Sequence, residues 1–308
     1  MDKRFETPSS PFTHCGASTQ RIMLDVIIAL LPATAAAIVI FGTKALVPIL
    51  SCVIAAVVSE FLFNVITHRK QSIGDLSAVV TGLLLGLNLS TNVPVWQCVL
   101  GSVFAIVVVK CLFGGLGHNF ANPAISARVF MLLAFSEVAG GAMPAVVELE
   151  ASATPLELIG SSADQLPSLM DMFLGLRGGA VGEGCIVALL IGYAYLCARK
   201  VIKWYVPAAF VGTVFVLFLA ASGSFTTALY EIMAGGVFIG AIFMATDYVT
   251  TPINNTGRVV FALGCGVITF IIREFCAYPE GVSFSILAMN ILTPYIEKWT
   301  AKKPLGGV

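Results

Sequence analysis

Charge is scarce in this sequence. Its 308 residues hold 17 Lys and Arg and 17 Asp and Glu, 11% in all, against 58% hydrophobic residues. A soluble domain carries about 25% charged residues, so too little polar surface exists here to cover a water-soluble globule. A soluble enzyme, a disordered tail and a nucleic-acid binder are excluded, and the net charge of zero implies no bulk electrostatic partner. Histidine is scarcer still. The three, His14, His68 and His118, are scattered, and neither H-E-x-x-H nor a G-x-x-x-x-G-K-[ST] phosphate loop occurs. The eight cysteines (15, 52, 98, 111, 185, 197, 265 and 276) form no C-x-x-C and lie mostly in apolar runs. They read as small hydrophobes in helix packing, not as ligands of an iron–sulfur cluster. A cleavable leader is also missing: residues 1–21 are polar, with Pro8 and Pro11, and are expected to be retained.

What the chain has is long apolar runs. Ten stand out, at about 22–42, 45–67, 76–90, 94–114, 122–135, 180–198, 201–220, 229–246, 259–274 and 281–297. Such runs suit membrane helices rather than the alternating strands of a barrel. The expected fold is an all-α polytopic membrane protein of about ten transmembrane helices. Several runs fall short of the roughly 20 residues a full span needs, which points to short helices broken within the membrane. With residues 1–21 and 298–308 as cytoplasmic tails, 13 of the 17 basic residues fall on the inner side. Lys44, Arg177 and Arg273 fall outside and Arg128 within a span, as the positive-inside rule asks.

The one long hydrophilic connection, residues 136–178, is placed outside. It holds Glu137, Glu148, Glu150, Glu157, Asp164 and Asp171 against Arg177 alone. It divides the chain into two sets of five spans, 22–135 and 179–297. Each contains a glycine-interrupted short span (Thr81–Gly86 and Gly236–Gly240), then an apolar helix and a re-entry. An odd number of spans per half makes these inverted repeats, expected to meet near the midplane around Gly86 and Gly240.

Ionisable residues in or near membrane segments are costly and are functional candidates by default. Asp25, Glu60, Arg128, Glu183, Glu231 and Asp247 qualify. Asp25, Glu183, Glu231 and Asp247 lie near span ends, where interfacial water lowers the cost. For the deeper Glu60 and Arg128, an internal ion pair and a cation path both stay open. Asp25, Glu60 and Asp247, with Gly86 and Gly240, are the ion-path candidates.

Within the outer loop, E-A-S-A-T-P-L-E-L-I-G (150–160) presents Ser152 and Thr154 just before Pro155, which biases Thr154 to extended backbone. S-A-T-P-L resembles the flavin-attachment motif of the RnfD and NqrB family, membrane subunits of ion-translocating redox complexes. R-I-M-L-D-V-I-I-A-L-L-P-A (21–33), G-H-N-F-A-N-P-A (117–124), A-T-D-Y-V-T-T-P (245–252) and Y-P-E-G-V-S-F-S-I-L-A-M-N (278–290) resemble RnfD as well. Together they cover nearly the whole chain in order. Ser152 is a departure, since many members have another small residue there, but the acceptor is intact. The chain lacks the longer N-terminal region of NqrB.

The resemblance implies FMN held by a phosphoester bond to Thr154, with Ser152 and Pro155 beside it, attached by a flavin transferase. It also suggests a noncovalent riboflavin near Asn119 and Asn122. It implies one component of an Rnf-type complex in a prokaryotic inner membrane. That complex moves electrons between ferredoxin and NAD and translocates Na⁺ or H⁺ with its other subunits. Two further readings are carried: an NqrB-like subunit of a Na⁺-translocating NADH:quinone reductase, and an inverted-repeat solute channel.

Overall fold

The computed structural model describes residues 18–135, 159, 166–276 and 280–301, and among these every regular element is helical. Thr154, Ser152 and Pro155 lie outside the described residues, as does most of the 136–178 loop.

Helix α1 (Thr19–Phe41) starts where the Ser18 hydroxyl accepts from the Arg21 amide at 3.3 Å and stops at Gly42, whose φ of 69° ends the helix. A 3-10 turn, Gly42–Ala45, leads into α2 (Leu46–Ile66). Helix α3 (Ser77–Leu87) is followed by α4 (Val95–Val103), which runs on as a π-helical stretch, Phe104–Cys111. Helix α5 (Pro123–Ala134) has Pro123 at its first position and is capped by Asn122, whose Oδ1 accepts from the amides of Ala124 and Ile125. Then come α6 (Leu169–Leu174), α7 (Ile186–Ala198), α8 (Tyr205–Ser222) and α9 (Phe225–Met233). Helix α10 (Val237–Ile239) continues as a π-helical stretch, Gly240–Met244, bent 65° from α9 across Ala234–Gly236. Helices α11 (Asn255–Phe275) and α12 (Val282–Thr300) complete the order.

Each of the ten apolar runs therefore contains a helix, but they differ in reach. Among the described residues, the segments able by length and apolarity to cross a membrane are Thr19–Ile66, Tyr205–Ser222 and Asn255–Phe275, with the bent α9–α10 pair as a fourth. Thr19–Ile66 spans 48 residues. At 1.5 Å per residue that is about 70 Å, more than twice a hydrocarbon core of about 30 Å, and the Gly42 break divides it. Of the shorter apolar helices, α3 and α5 are mostly buried, whereas α4 with its continuation and α7 keep exposed apolar side chains such as Trp96, Val108 and Ile191.

Packing follows a regular scheme: α2 lies on α3 and α4, α8 on α9 and α11, α1 on α7, and α5 on α12. The glycines of α3 make the first contact possible. A Cβ on Gly82 would sit 2.7 Å from Val53 Cα, and one on Gly86 2.7 Å from Ile49 Cα. Gly86 thus faces the α2 backbone, and a Cβ on Gly240 would meet Val282 Cγ1 of α12 at 2.5 Å. Both glycines serve close helix approach. Gly86→Leu should lower the melting temperature and the yield of monodisperse protein, by about 1–3 kcal/mol or more in stability. Gly212→Ala should be neutral, because nothing lies within 4 Å of its Cβ position. Thermal unfolding in detergent followed by size exclusion compares the two, and equal melting would remove the close-approach argument.

Candidate functional site

Among the described residues, three ionic clusters are built into the bundle. The first joins α2 to α4. Lys110 Nζ lies 2.8 Å from Glu60 Oε1, and each residue is 1% exposed. The ammonium also donates to Ser77 Oγ at 2.6 Å. The Ser72 hydroxyl donates to Glu60 Oε1 at 2.5 Å and itself accepts from Asn64 Nδ2 at 3.0 Å. Ser77 is set in place by Asp75, whose Oδ1 accepts from its amide at 2.8 Å. Glu60 Oε2 is buried with no partner among the described residues. Of the two readings open for Glu60, its ion pair is thus present, with one oxygen still free.

The second cluster ties α1 to α7. Asp25 accepts from the Tyr195 hydroxyl at 2.9 Å, and Arg199 Nε and Nη2 reach its two oxygens at 3.3 Å each. The Arg199 side chain is 49% exposed, so solvent screening leaves this pair weaker than the first.

The third gathers six charged residues at the opposite end of the bundle. Arg128 on α5 forms a fork with Glu280, Nε to Oε1 at 2.7 Å and Nη2 to Oε2 at 2.6 Å. Arg273 on α11 donates to Glu231 Oε2 at 3.1 Å and to the carbonyls of Ala234 and Glu280. Arg177 Nη2 donates to the Glu183 carbonyl at 3.1 Å, while Glu183 Oε1 accepts from the Ala180 amide at 2.9 Å. Glu183 and Glu231 are buried, as is Asp25. This corrects their expected place in interfacial water, because groups of the protein itself take the water's place: Tyr195 and Arg199 for Asp25, the Ala180 amide for Glu183 and Arg273 for Glu231.

Between the first two clusters, where the halves of the chain meet, is a cavity of about 70 Å³. Lys110, Ser77, Asn119, Asn122, Asp247 and Tyr248 are among its walls. Asn119 Oδ1 is buried with no partner among the described residues, whereas Asn122 Oδ1 is committed to capping α5. Asp247, in the turn after the α10 continuation, accepts from the Val249 amide and the Thr250 hydroxyl. Burial pushes its carboxyl above the ordinary carboxylate value, against those two hydrogen bonds. With its amide oriented to satisfy both neighbours, Asn290 on α12 donates to the Thr250 carbonyl and accepts from the Asn122 amide, each at 3.1 Å. The start of α5 and the turn after the α10 continuation are joined through it.

The structure thus brings Asp247, Asn119 and Asn122 to one cavity and links Glu60 to it through Lys110. Asp25 pairs separately on α1 and α7, and Gly86 and Gly240 pack helices. Sequence reasoning missed Lys110, Glu280 and Asn290. Charge patterning puts Lys110 at a span end, although the run continues past it through Leu112 and Phe113, and that continuation is the available signal. For Glu280 and Asn290 no local signal exists, since their partners lie far away along the chain, up to 168 residues in the case of Asn290 and Asn122.

The family model for NQR2, RnfD and RnfE matches residues 6–306. The D subunit of the Na⁺-translocating ferredoxin:NAD⁺ oxidoreductase complex of Acetobacterium woodii is 43% identical over 302 residues, covering 97% of this chain and 94% of the relative. The D subunit of the proton-translocating ferredoxin:NAD⁺ oxidoreductase complex of Clostridium ljungdahlii is 38% identical, over 98% of this chain and 96% of the relative. The D subunit of the ion-translocating oxidoreductase complex of Cronobacter sakazakii is 33% identical, over 98% and 99%.

Proposed function

Because the chain belongs to the NQR2, RnfD, RnfE family, we propose that it is the D subunit of a membrane complex that couples electron transfer between ferredoxin and NAD to ion translocation. The observation that carries this reading is 43% identity sustained over nearly the full length of a relative of that name. In it, FMN on Thr154 supplies an electron relay, and the ferredoxin and nicotinamide chemistry belongs to other subunits. The Thr154 assignment rests on S-A-T-P-L. The loop that carries it is read as extracytoplasmic, both tails as cytoplasmic, and the membrane as the prokaryotic inner membrane.

The reading of the two halves as inverted five-helix repeats is supported by the packing scheme. If α1 to α5 correspond to α7, α8, α9–α10, α11 and α12, then two of the counterpart pairs, α1–α7 and α5–α12, touch each other. The contacts of α2 with α3 and α4 are mirrored by those of α8 with α9 and α11. A pseudo-twofold axis in the membrane plane produces that pattern.

The ion path is read through the cavity between the halves. Asp247 and the Lys110–Glu60 pair converge there, and the free Glu60 oxygen and the Asn119 carbonyl oxygen offer hard-cation or proton acceptors. One relative is named for Na⁺ and another for protons, so either ion is compatible with this family. Asp25 holds α1 against α7 at the cytoplasmic end of this route. A riboflavin beside Asn119 and Asn122 does not fit the cavity as it stands: about 70 Å³ is well below the roughly 300–1,000 Å³ of ordinary small-molecule pockets. No step is therefore routed through a second flavin.

In membranes from a strain lacking its own D subunit, this chain should restore ferredoxin-dependent NAD reduction together with ion uptake into inverted vesicles. Restoration of quinone reduction alone would favour the NqrB-like reading. No redox activity with passive solute flux would favour the channel.

A further inference from the structure

A second cavity, of about 230 Å³, opens on the face that carries the start of α1 and the end of α12. The face is identified by the Asp25–Arg199 pair and by Asn254 Nδ2 donating to the Thr300 carbonyl. Lys200, Lys203 and Arg258 line the cavity with Tyr248 and Thr251, and its floor is apolar, with Val206 and Phe261. None of the three cations forms an ion pair among the described residues. Arg258 Nε donates to the Pro252 carbonyl, and the rest of its guanidinium is uncommitted to acceptors among the described residues. The carboxylates of the adjoining turns are already engaged: Asp247 by Val249 and Thr250, and Glu297 by the Ile253 amide.

Two helices begin at this cavity. Val206 stands in the first turn of α8 and Arg258 in the first turn of α11, and the two starts are locked by the Tyr205 hydroxyl donating to Asn255 Oδ1 at 2.9 Å. Helix starts carry partial positive charge, which adds to that of the three cations. Trp204 and Trp299, 67% and 78% exposed, stand on the same face and mark the depth of lipid headgroups.

We propose that this cavity binds a phosphate group, that of an anionic phospholipid headgroup or of a soluble phosphate ester. The apolar floor and the tryptophan level favour the lipid. The site would hold an anionic lipid where the cavity between the halves is only a few residues away: Val201, Ile202, Thr246 and Tyr248 line both spaces. Lipid occupancy then braces the turn that carries Asp247.

The test is native mass spectrometry of the purified full chain with added phosphatidylglycerol or phosphatidylcholine. The variant Lys200→Asn/Lys203→Gln removes two cations, and Asn is chosen because Lys200 has a left-handed φ of 58° that Asn accepts. Wild type should retain phosphatidylglycerol in preference to phosphatidylcholine. The double variant should bind phosphatidylglycerol about tenfold or more weakly. Lys298→Gln, which removes a basic residue outside the cavity, should bind as wild type does. If millimolar inorganic phosphate, without lipid, raises the melting temperature of wild type and not of the double variant, the soluble source is identified and the site still stands. Equal phosphatidylglycerol binding by wild type and double variant, with no phosphate-dependent shift in wild type, overturns the proposal. Should the double variant not purify as a single species, Lys203→Gln alone is read the same way.

Discussion

Thr154→Val should abolish the ultraviolet-excited fluorescence of the denatured chain when it is made in cells that supply a flavin transferase. Valine keeps the β-branched shape of threonine and removes only the hydroxyl, so the substitution deletes the acceptor and little else. A noncovalent flavin is lost on denaturation, whereas a phosphoester to the side chain survives it, so a fluorescent gel band reports attachment alone. Wild type should be bright and Thr154→Val at background. Ser152→Ala should stay bright, since Ser152 flanks the acceptor in S-A-T-P-L without being it. A bright Thr154→Val band would move the attachment to another residue. A dark Ser152→Ala band beside a bright Thr154→Val band would assign it to Ser152.

The second large effect is expected at the Glu60–Lys110 pair. Both groups are buried, 2.8 Å apart, and braced by Ser72 and Ser77. Lys110→Met leaves the Glu60 carboxylate buried without its cation, a change that costs about 3–5 kcal/mol in such pairs. The loss should be read as a fall of several degrees in melting temperature and reduced recovery of assembled protein. Glu60→Leu with Lys110→Met removes both charges and should recover much of that stability, because replacing a whole buried pair with apolar groups is often neutral or favourable. Ion-coupled turnover separates structure from function in the same preparations. If Glu60 belongs to the ion path, the doubly substituted protein should be stable and still fail to translocate ions. A stable and fully coupled double variant would remove Glu60 from the path, and an unchanged melting temperature in Lys110→Met would show that the pair contributes nothing to folding.

The ion-path candidates divide according to how far their partners lie along the chain. Asp247 is held by Val249 and Thr250, within three residues, and A-T-D-Y-V-T-T-P already displays that arrangement. Glu60 depends on Lys110, fifty residues on, and Arg128 on Glu280, 152 residues on. No spacing rule reaches across such separations. Gly86 and Gly240 read from the sequence as the place where the two halves meet near the midplane; the structure gives their immediate neighbours as the α2 backbone and Val282. A glycine's sequence context does not say whether a cavity or another helix stands opposite it.

What the sequence by itself determined is the membrane class, the place of the helices and the family. Hydropathy is summed over neighbours along the chain, and a paucity of charge cannot be undone by folding. The helix starts at Ser18 and Asn122 are equally local, since a cap is made within three residues. Only the tertiary structure decided which charges are buried, which pair, and which oxygens stay free. Those outcomes depend on the short helices α3, α5 and α7 ending inside the protein, so that their neighbouring loops carry Glu183, Arg177 and Asn119 into the interior instead of to water. In a low-dielectric interior buried charges must be paired. Glu183 and Arg177 find partners within their own loop. Glu60 and Arg128 take theirs from segments far along the chain, and that meeting of distant segments is what local composition does not encode.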